Sequence, residues 1–323
     1  MASKRKSPTL QHVGGLCVQG DVLAAYHYLQ HKPVKTKREE ALARRLFDRF
    51  LVEEPKYRIN SRDVWVRNVT KVYYRYYTSV LTKQASASEG EELLLGELSK
   101  FVLGRDLETV EANLKEEFAV RGYNFLGGIT EPFWGPYIWK TQEEAIFDIE
   151  IPSGTEQLTV YFMKDFLMLS WLEFASLGLA ATGGWATDGG LYCVYERYKS
   201  ILDEPGFTIS YLKHEAQHVA DFRMFPTLQA KDLEYRAKLV ELIYYPTKDK
   251  LFDFLTQAGT DVENAHAYAA YVIASRLSRI LLHSEVELER NKWDGVSVED
   301  IHETSTQLMN EHTDELLCGS TGI

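Results

Sequence analysis

The chain has few cysteines and no long uninterrupted apolar run. Its three cysteines, Cys17, Cys193 and Cys318, are odd in number and far apart, so neither a disulfide framework nor a cysteine-type zinc site is expected. The most apolar stretch, 166–186, is interrupted by Glu173 and by two adjacent glycines, which makes it too short and broken to span a bilayer. No apolar segment follows the first basic residues, so no secretory signal is expected. We therefore expect a cytoplasmic protein that does not bind a membrane.

Basic residues are also in the minority. The sequence has 36 Lys and Arg residues against 47 Asp and Glu residues, a formal net charge of −11. Nucleic-acid binding needs clustered Lys and Arg side chains that neutralise phosphates, so we expect no nucleic-acid partner. The hydrophobic fraction of 45% and the charged fraction of 26% are typical of a globular protein with an ample core. Composition leaves the oligomeric state open.

The first third of the sequence has the apolar spacing of helices. Thr36 and Glu39 form a capping-box pattern, in which each residue's side chain bonds the other's backbone N–H at a helix start. Apolar residues three and four positions apart predict helices over 37–53, 62–81, 91–103 and 107–120. No side chains in this part suggest a particular chemistry. We predict that residues 1–120 form a helical N-terminal domain.

The pattern changes after residue 121. Alternating apolar and polar residues at 145–151 and 157–162, joined by turn residues, predict a β-hairpin. The remaining segments predict a strand at 191–195 and helices over 167–177, 207–222, 233–244, 262–282 and 298–317. Strands collected between helical blocks favour an α+β fold over alternating βαβ units. The predicted second domain, 121–323, combines a small, mostly antiparallel sheet with helices.

One pentapeptide, His214-Glu215-Ala216-Gln217-His218, carries most of the chemical information. Two histidines four residues apart on a helix lie on one face, one turn apart, where both imidazoles can bind a single zinc ion. Glu215 can then lie beside the open coordination position and accept a proton. Apolar residues surround the motif, as a helix inside a domain requires. The alternative interpretation is a pair of histidines that merely pack in the core.

A catalytic zinc site needs three protein ligands and one open position. A third histidine at the usual later position is excluded, because Asp221 and Met224 stand there. Glu234, on the next predicted helix, is the candidate, with Glu241 as its rival; an exposed ion pair between Glu234 and Lys238 is the plainer interpretation. Asp221 shares the face of the histidines. It either accepts a hydrogen bond from a ligand imidazole or a neighbouring helix, or is solvated.

The pentapeptide with Glu234 downstream resembles the zincin metallopeptidases, in particular their glutamate-ligand branch, the gluzincins. The resemblance implies one Zn²⁺ held by His214, His218 and Glu234, with Glu215 as general base and a peptide or protein as substrate. It covers only a short part of the chain. The acidic residue that usually follows the ligand glutamate by four positions is replaced by Lys238, which is a departure from the usual pattern.

The resemblance also implies an edge strand before the motif helix that binds substrate, and residues 191–195 are its expected position. Peptide hydrolysis further needs a donor that stabilises the oxyanion. His266 is the best candidate, because it falls in the apolar stripe of the predicted helix 262–282 and should face inward. A core histidine without a catalytic role is the commoner case, and nearby tyrosines are rivals that sequence cannot rank: Tyr235, Tyr244, Tyr268 and Tyr271.

The leading hypothesis from sequence is therefore a zinc-dependent metallopeptidase that hydrolyses peptide bonds through a metal-activated water. A second hypothesis keeps this chemistry but assigns it to a non-peptide amide or ester. A third makes the chain a non-catalytic, zinc-containing binding or regulatory protein, which the large helical N-terminal part would suit.

Overall fold

The computed structural model describes residues 8–180, 182–187, 190–319 and 322–323. The chain folds into two compact units. The first comprises Met1–Gln142 and Met163–Thr182, and the second comprises Glu143–Phe162 and Gly183–Ile323. Helices occur together with a five-stranded sheet and a separate two-stranded sheet, so the predicted α+β class is confirmed.

The described part of the first unit contains seven helices. They are α1 (Pro8–Val18), α2 (Val22–His31), α3 (Lys37–Phe50), α4 (Val64–Leu81), α5 (Ala87–Leu98), α6 (Leu107–Val120) and α7 (Ser170–Ser176). Five of these seven described helices, α2 to α6, begin at a residue whose side chain caps them. The capping box of Thr36 and Glu39 is confirmed at the start of α3. A second capping box, formed by Ser86 and Glu89, starts α5 earlier than predicted. Apolar periodicity alone missed that cap.

The second unit contains the motif helix. Its helices are α8 (Tyr195–Tyr198), α9 (Pro205–Phe207), α10 (His214–Met224), α11 (Ala230–Tyr244), α12 (Asp249–Gln257), α13 (Ala265–Leu277) and α14 (Val298–Leu317). Two π-helical segments, Thr208–Lys213 and Ser278–Leu282, precede α10 and follow α13. The helix predicted from residue 262 begins only at Ala265, because the Asn264 side chain accepts the N–H of Ala267 and caps it there.

Two strands much longer than predicted form the hairpin. The strands are β1 (Asn124–Leu126), β2 (Ile129–Thr130), β3 (Phe133–Trp134), β4 (Tyr137–Ile151), β5 (Gly154–Leu169), β6 (Gly184–Thr187) and β7 (Gly190–Val194). Their order in the main sheet is β1-β4-β5-β7-β6, and β2 pairs with β3 separately. The helix predicted from residue 167 is therefore wrong over its first three residues, which end β5; Ser170 starts α7 with a φ of 58°.

The first unit extends past the predicted boundary at residue 121 to Gln142. β1 belongs with the helices because Phe125 stacks on Phe118 of α6, with ring centroids 5.2 Å apart. Both rings are buried in the core of that unit. The division into domains 1–120 and 121–323 stays a prediction. Among the described residues, no helix combines the length and apolar character needed to cross a membrane.

Candidate metal centre

The predicted motif helix is present, and a π-helical segment directly precedes it. α9, the π-helical segment and α10 follow one another directly, so the chain is helical from Pro205 to Met224. π-helical turns are rare and often occur at functional sites. Ala216 and Ala220 on α10 are completely buried, and α10 packs against α11, to which the buried Asp221–Arg236 pair joins it. This packing brings Glu234 on α11 opposite the two histidines.

His214, His218 and Glu234 converge as predicted. Their potential ligand atoms all lie within 4.8 Å of one another. The two Nε2 atoms are 3.1 Å apart. Glu234 Oε1 is 3.5 Å from His218 Nε2, and Glu234 Oε2 is 3.7 Å from His214 Nε2. The alternative of an exposed ion pair between Glu234 and Lys238 is wrong, since the Glu234 side chain is 12% exposed and Lys238 is buried.

These separations suit a tetrahedral metal ion. Zinc bonds of about 2.0–2.1 Å to nitrogen and oxygen in a tetrahedron place the ligand atoms roughly 3.3 Å apart. The observed distances of 3.1, 3.5 and 3.7 Å, the last two to different oxygens of Glu234, lie close to that value. Glu234 Oε2 is also buried without a well-aligned hydrogen bond. Two imidazole nitrogens and one carboxylate are the donor set of a catalytic zinc site with a fourth position open.

Glu241, the rival ligand, has a different role. Its Oε1 accepts a hydrogen bond of 2.8 Å from His214 Nδ1, on the side of the ring away from Nε2. Its Oε2 lies 2.9 Å from Lys250 Nζ. Burial would raise the pKa of Glu241, but the hydrogen bond from His214 and the charges of His214 and Lys250 outweigh it and lower that pKa to about 2. The carboxylate therefore stays ionised and fixes the His214 ring with Nε2 toward the other two ligands.

The carboxylate that bonds His214 lies farther along α11 than Lys238, the position that departs from the expected pattern. Glu234 and Glu241 are seven residues apart, two turns of α11, and so lie on the same face. Lys238 stands between them but is buried against Phe254, with Nζ 4.5 Å from the ring centroid. The seven-residue spacing is the signal in the sequence that could have identified Glu241.

His266 lies beside Glu234, but not as predicted. Its side chain is 69% exposed, so the prediction that it faces inward is wrong. The residue is in the first turn of α13, on the same stripe as the buried Ala270 and Ile273 but at the exposed start of the helix. Its Nδ1 is 2.7 Å from Glu234 Oε2. Burial would raise the pKa of Glu234, but the neighbouring imidazoles of His218, His266 and His214 outweigh it and hold that pKa far below its usual range.

Asp221 is neither solvated nor bonded to a ligand imidazole. It is completely buried, and its Oδ1 accepts hydrogen bonds of 2.8 Å from Gln217 and from Arg236 of α11. Arg236 also donates to Thr313 of α14. Of the roles that the spacing allows, the bond to the neighbouring helix is the one observed. The pair holds the motif helix against α11.

Glu215 directly follows His214 on α10. It is partly buried on α10, and within the described part of the chain its carboxylate forms no ion pair or hydrogen bond. Its negative charge contributes, after burial, to the raised pKa values of Tyr198 and Tyr211. Both phenols consequently stay protonated near the carboxylate at neutral pH. A carboxylate without a structural partner can accept a proton from a substrate-side group.

The strand expected to bind substrate lies inside the sheet. β7 covers most of the predicted 191–195, but it stands between β5 and β6. One edge of the sheet is β6, whose Trp185 pairs in register with Tyr192 of β7. β6 also contacts the motif helix α10. The prediction of an edge strand at 191–195 is therefore wrong, because the glycines that flank β6 hid that strand in the sequence.

Comparison with known proteins gives no match: no protein-family model, curated protein or solved structure is significantly similar to this chain. A function can therefore be inferred only from the geometry of the site.

Proposed function

We propose that the protein is a zinc-dependent metallopeptidase of the zincin type. The observation that supports this proposal is the convergence of His214, His218 and Glu234, with Glu215 on the same helix. Side chains of this type at these distances occur in catalytic zinc sites, where a peptide carbonyl and a water share the open face. The three ligands are close to the surface, each 11–12% exposed, so a substrate can approach them.

Each residue has a distinct role in the proposed reaction. Zinc, when bound, would supply Lewis-acid polarisation and lower the pKa of a bound water to about 7. Glu215 accepts the proton of the attacking water on its carboxylate and passes it to the leaving nitrogen. His266 contacts Glu234 through Nδ1 and, as an imidazolium with both ring nitrogens protonated, can donate from Nε2 to the developing oxyanion. An extended peptide lies beside β6, the edge strand.

The first experiment measures zinc content and hydrolysis of a peptide library together. Glu215→Gln should bind zinc like the wild type but lose at least about 100-fold in turnover, because a general base typically contributes that much. His218→Ala should lose stoichiometric zinc. The proposal fails if the wild type holds no zinc, or if Glu215→Gln hydrolyses peptides at the wild-type rate.

The same experiment separates the other candidate functions. Turnover of small amides or esters without peptide cleavage would indicate a hydrolase of non-peptide substrates. Zinc retained without hydrolysis of any substrate would indicate a binding or regulatory protein. The cytoplasmic location expected from the sequence is part of this proposal, and fractionation of the native host cell with detection of the protein tests it.

A further inference from the structure

The first unit has a groove with an excess of positive charge. The groove has a volume of about 830 Å³ and lies between the segment after α3 and the outer face of α4. Four cationic side chains line it, against two carboxylates from Glu53 and Glu54. The four are Lys56, Arg67, Lys71 and Arg75. In the whole chain acidic residues prevail, with a net charge of −11, yet residues 1–142 and 163–182 contain more basic than acidic side chains.

The cations of this groove are available to a ligand. Lys56, Lys71 and Arg75 are exposed, and within the described ranges none of them forms an ion pair or hydrogen bond. Lys71 and Arg75 are on successive turns of α4 and therefore point to the same side. By contrast, Arg67 donates to the backbone oxygens of Ser61 and Arg62. Because Lys56, Lys71 and Arg75 have no such partner among the described residues, an anion can bind them without breaking an existing ion pair.

We propose that this groove binds an extended acidic peptide segment of a partner protein. Acidic side chains of the peptide lie along Lys71 and Arg75, and Asn68, Ser79 and Gln84 supply hydrogen-bonding groups for its backbone. The half-buried Tyr57 and Ile59 provide apolar contact between the charges. This surface is independent of the proposed metal centre, which belongs to the second unit.

Glu53 and Glu54 favour a peptide over a nucleic acid. A nucleic-acid strand carries a negative charge at every phosphate, so part of it would face these two carboxylates. A peptide carries acidic side chains only at intervals and can place neutral residues there. Charge complementarity of this kind gives specificity and a fast association rate more than high affinity.

The test uses the full chain and labelled peptides in fluorescence anisotropy. A peptide of repeated Glu-Thr-Leu units should bind, and its affinity should fall as the salt concentration increases. A Lys-Thr-Leu peptide should not bind. The double variant Lys71→Glu, Arg75→Glu should bind the acidic peptide at least about tenfold more weakly. Lys37→Glu, Arg38→Glu, exposed on α3, makes the same change in net charge away from the groove and should bind like the wild type.

Three outcomes would overturn the proposal. The first is that the acidic peptide does not bind the wild type. The second is an equal loss of affinity in both double variants, which would indicate only a general effect of net charge. The third is tighter binding of single-stranded oligo(dT) than of the acidic peptide, which would assign the groove to nucleic acid. Circular dichroism of both double variants confirms that each is folded, and neither substitution touches a buried residue.

Discussion

At the scale of single residues, the candidate centre depends on what holds each ligand. The two ring nitrogens of His214 face different groups. Nδ1 bonds Glu241, whereas Nε2 faces His218 and Glu234. Carboxylates that orient metal-ligating histidines raise ligand basicity and keep the ring in place. Loss of such a partner should therefore weaken metal binding without removing a ligand.

Glu241→Gln should lower zinc affinity by about tenfold, the smaller end of the effect seen when such partners are changed. The amide still accepts from His214 Nδ1 but no longer carries the charge that polarises the ring. Zinc affinity is measured by competition with a chromophoric chelator. Glu303→Gln, at an exposed position on α14, is the matched control. Equal affinity in the Glu241 variant and the control would exclude the orienting role.

A second buried carboxylate makes stability depend on pH. Glu111 accepts hydrogen bonds of 2.6 Å from the Tyr73 hydroxyl and from the Gly128 N–H. Burial, partly offset by these hydrogen bonds, raises its pKa to about 7. A pKa raised in the folded state means that the folded protein binds the proton more tightly than the unfolded chain does. The stabilisation is therefore complete below the unfolded pKa of 4.5, and it is lost as pH rises through 7.

The free energy of unfolding should consequently fall by roughly 3 kcal/mol between pH 4.5 and 8 through this one group. In Glu111→Gln this part of the pH dependence should be missing, because an amide does not titrate in that range. Urea unfolding of both proteins across the pH series measures it. Glu108→Gln, exposed on the same helix, should retain the wild-type slope; a wild-type slope in Glu111→Gln would refute the assignment.

At the scale of elements, one buried ion pair joins the helices of the centre. Asp221 of α10 and Arg236 of α11 are 0% and 2% exposed, with Oδ1 2.8 Å from Nε. A second pair, Arg223 with Glu156 of β5, joins α10 to the sheet, but its arginine is 64% exposed. Removal of one partner from a buried pair leaves a charge without solvent or counterion. An exposed pair has no such penalty.

Asp221→Ala should therefore lower the free energy of unfolding by about 3–5 kcal/mol, whereas Glu156→Ala should lower it by no more than about 1 kcal/mol. Denaturant unfolding compares the two variants. Asp221→Leu combined with Arg236→Met should recover most of the loss, because the two apolar side chains need no counterion. Equal losses in the two single variants would show that the buried pair does not hold α10 against α11.

At the scale of the whole molecule, metal binding should increase the free energy of unfolding. A ligand that binds only the folded state at one hundred times its dissociation constant adds about 2.7 kcal/mol to the free energy of unfolding. We expect this increase with zinc and its reversal by a chelator. Magnesium prefers six oxygen ligands and should not replace zinc. His218→Ala should abolish the increase, and an undiminished increase in that variant would place the metal elsewhere.

Much of the local structure was accessible from the sequence. Capping residues and apolar spacing act within a few residues, so α3, α6, α11 and α14 were predicted close to their observed bounds. The spacing of His214 and His218 also needs only helix geometry. By contrast, helix starts at Ser86 and Asn264 and the length of β5 were missed, because capping and strand pairing outweighed the apolar pattern there.

The amino-acid sequence alone determined the α+β class and the placement of His214 and His218 on one helical face, since both follow from periodicity along a continuous segment. Only the tertiary structure decided which carboxylate faces the imidazoles, which one holds His214, and that His266 is exposed beside Glu234. Those relationships join separate helices, and the packing of α11 against α10 and α13 sets them. Strand order is likewise set by pairing between separate segments, and it makes β6, and not β7, one edge of the sheet.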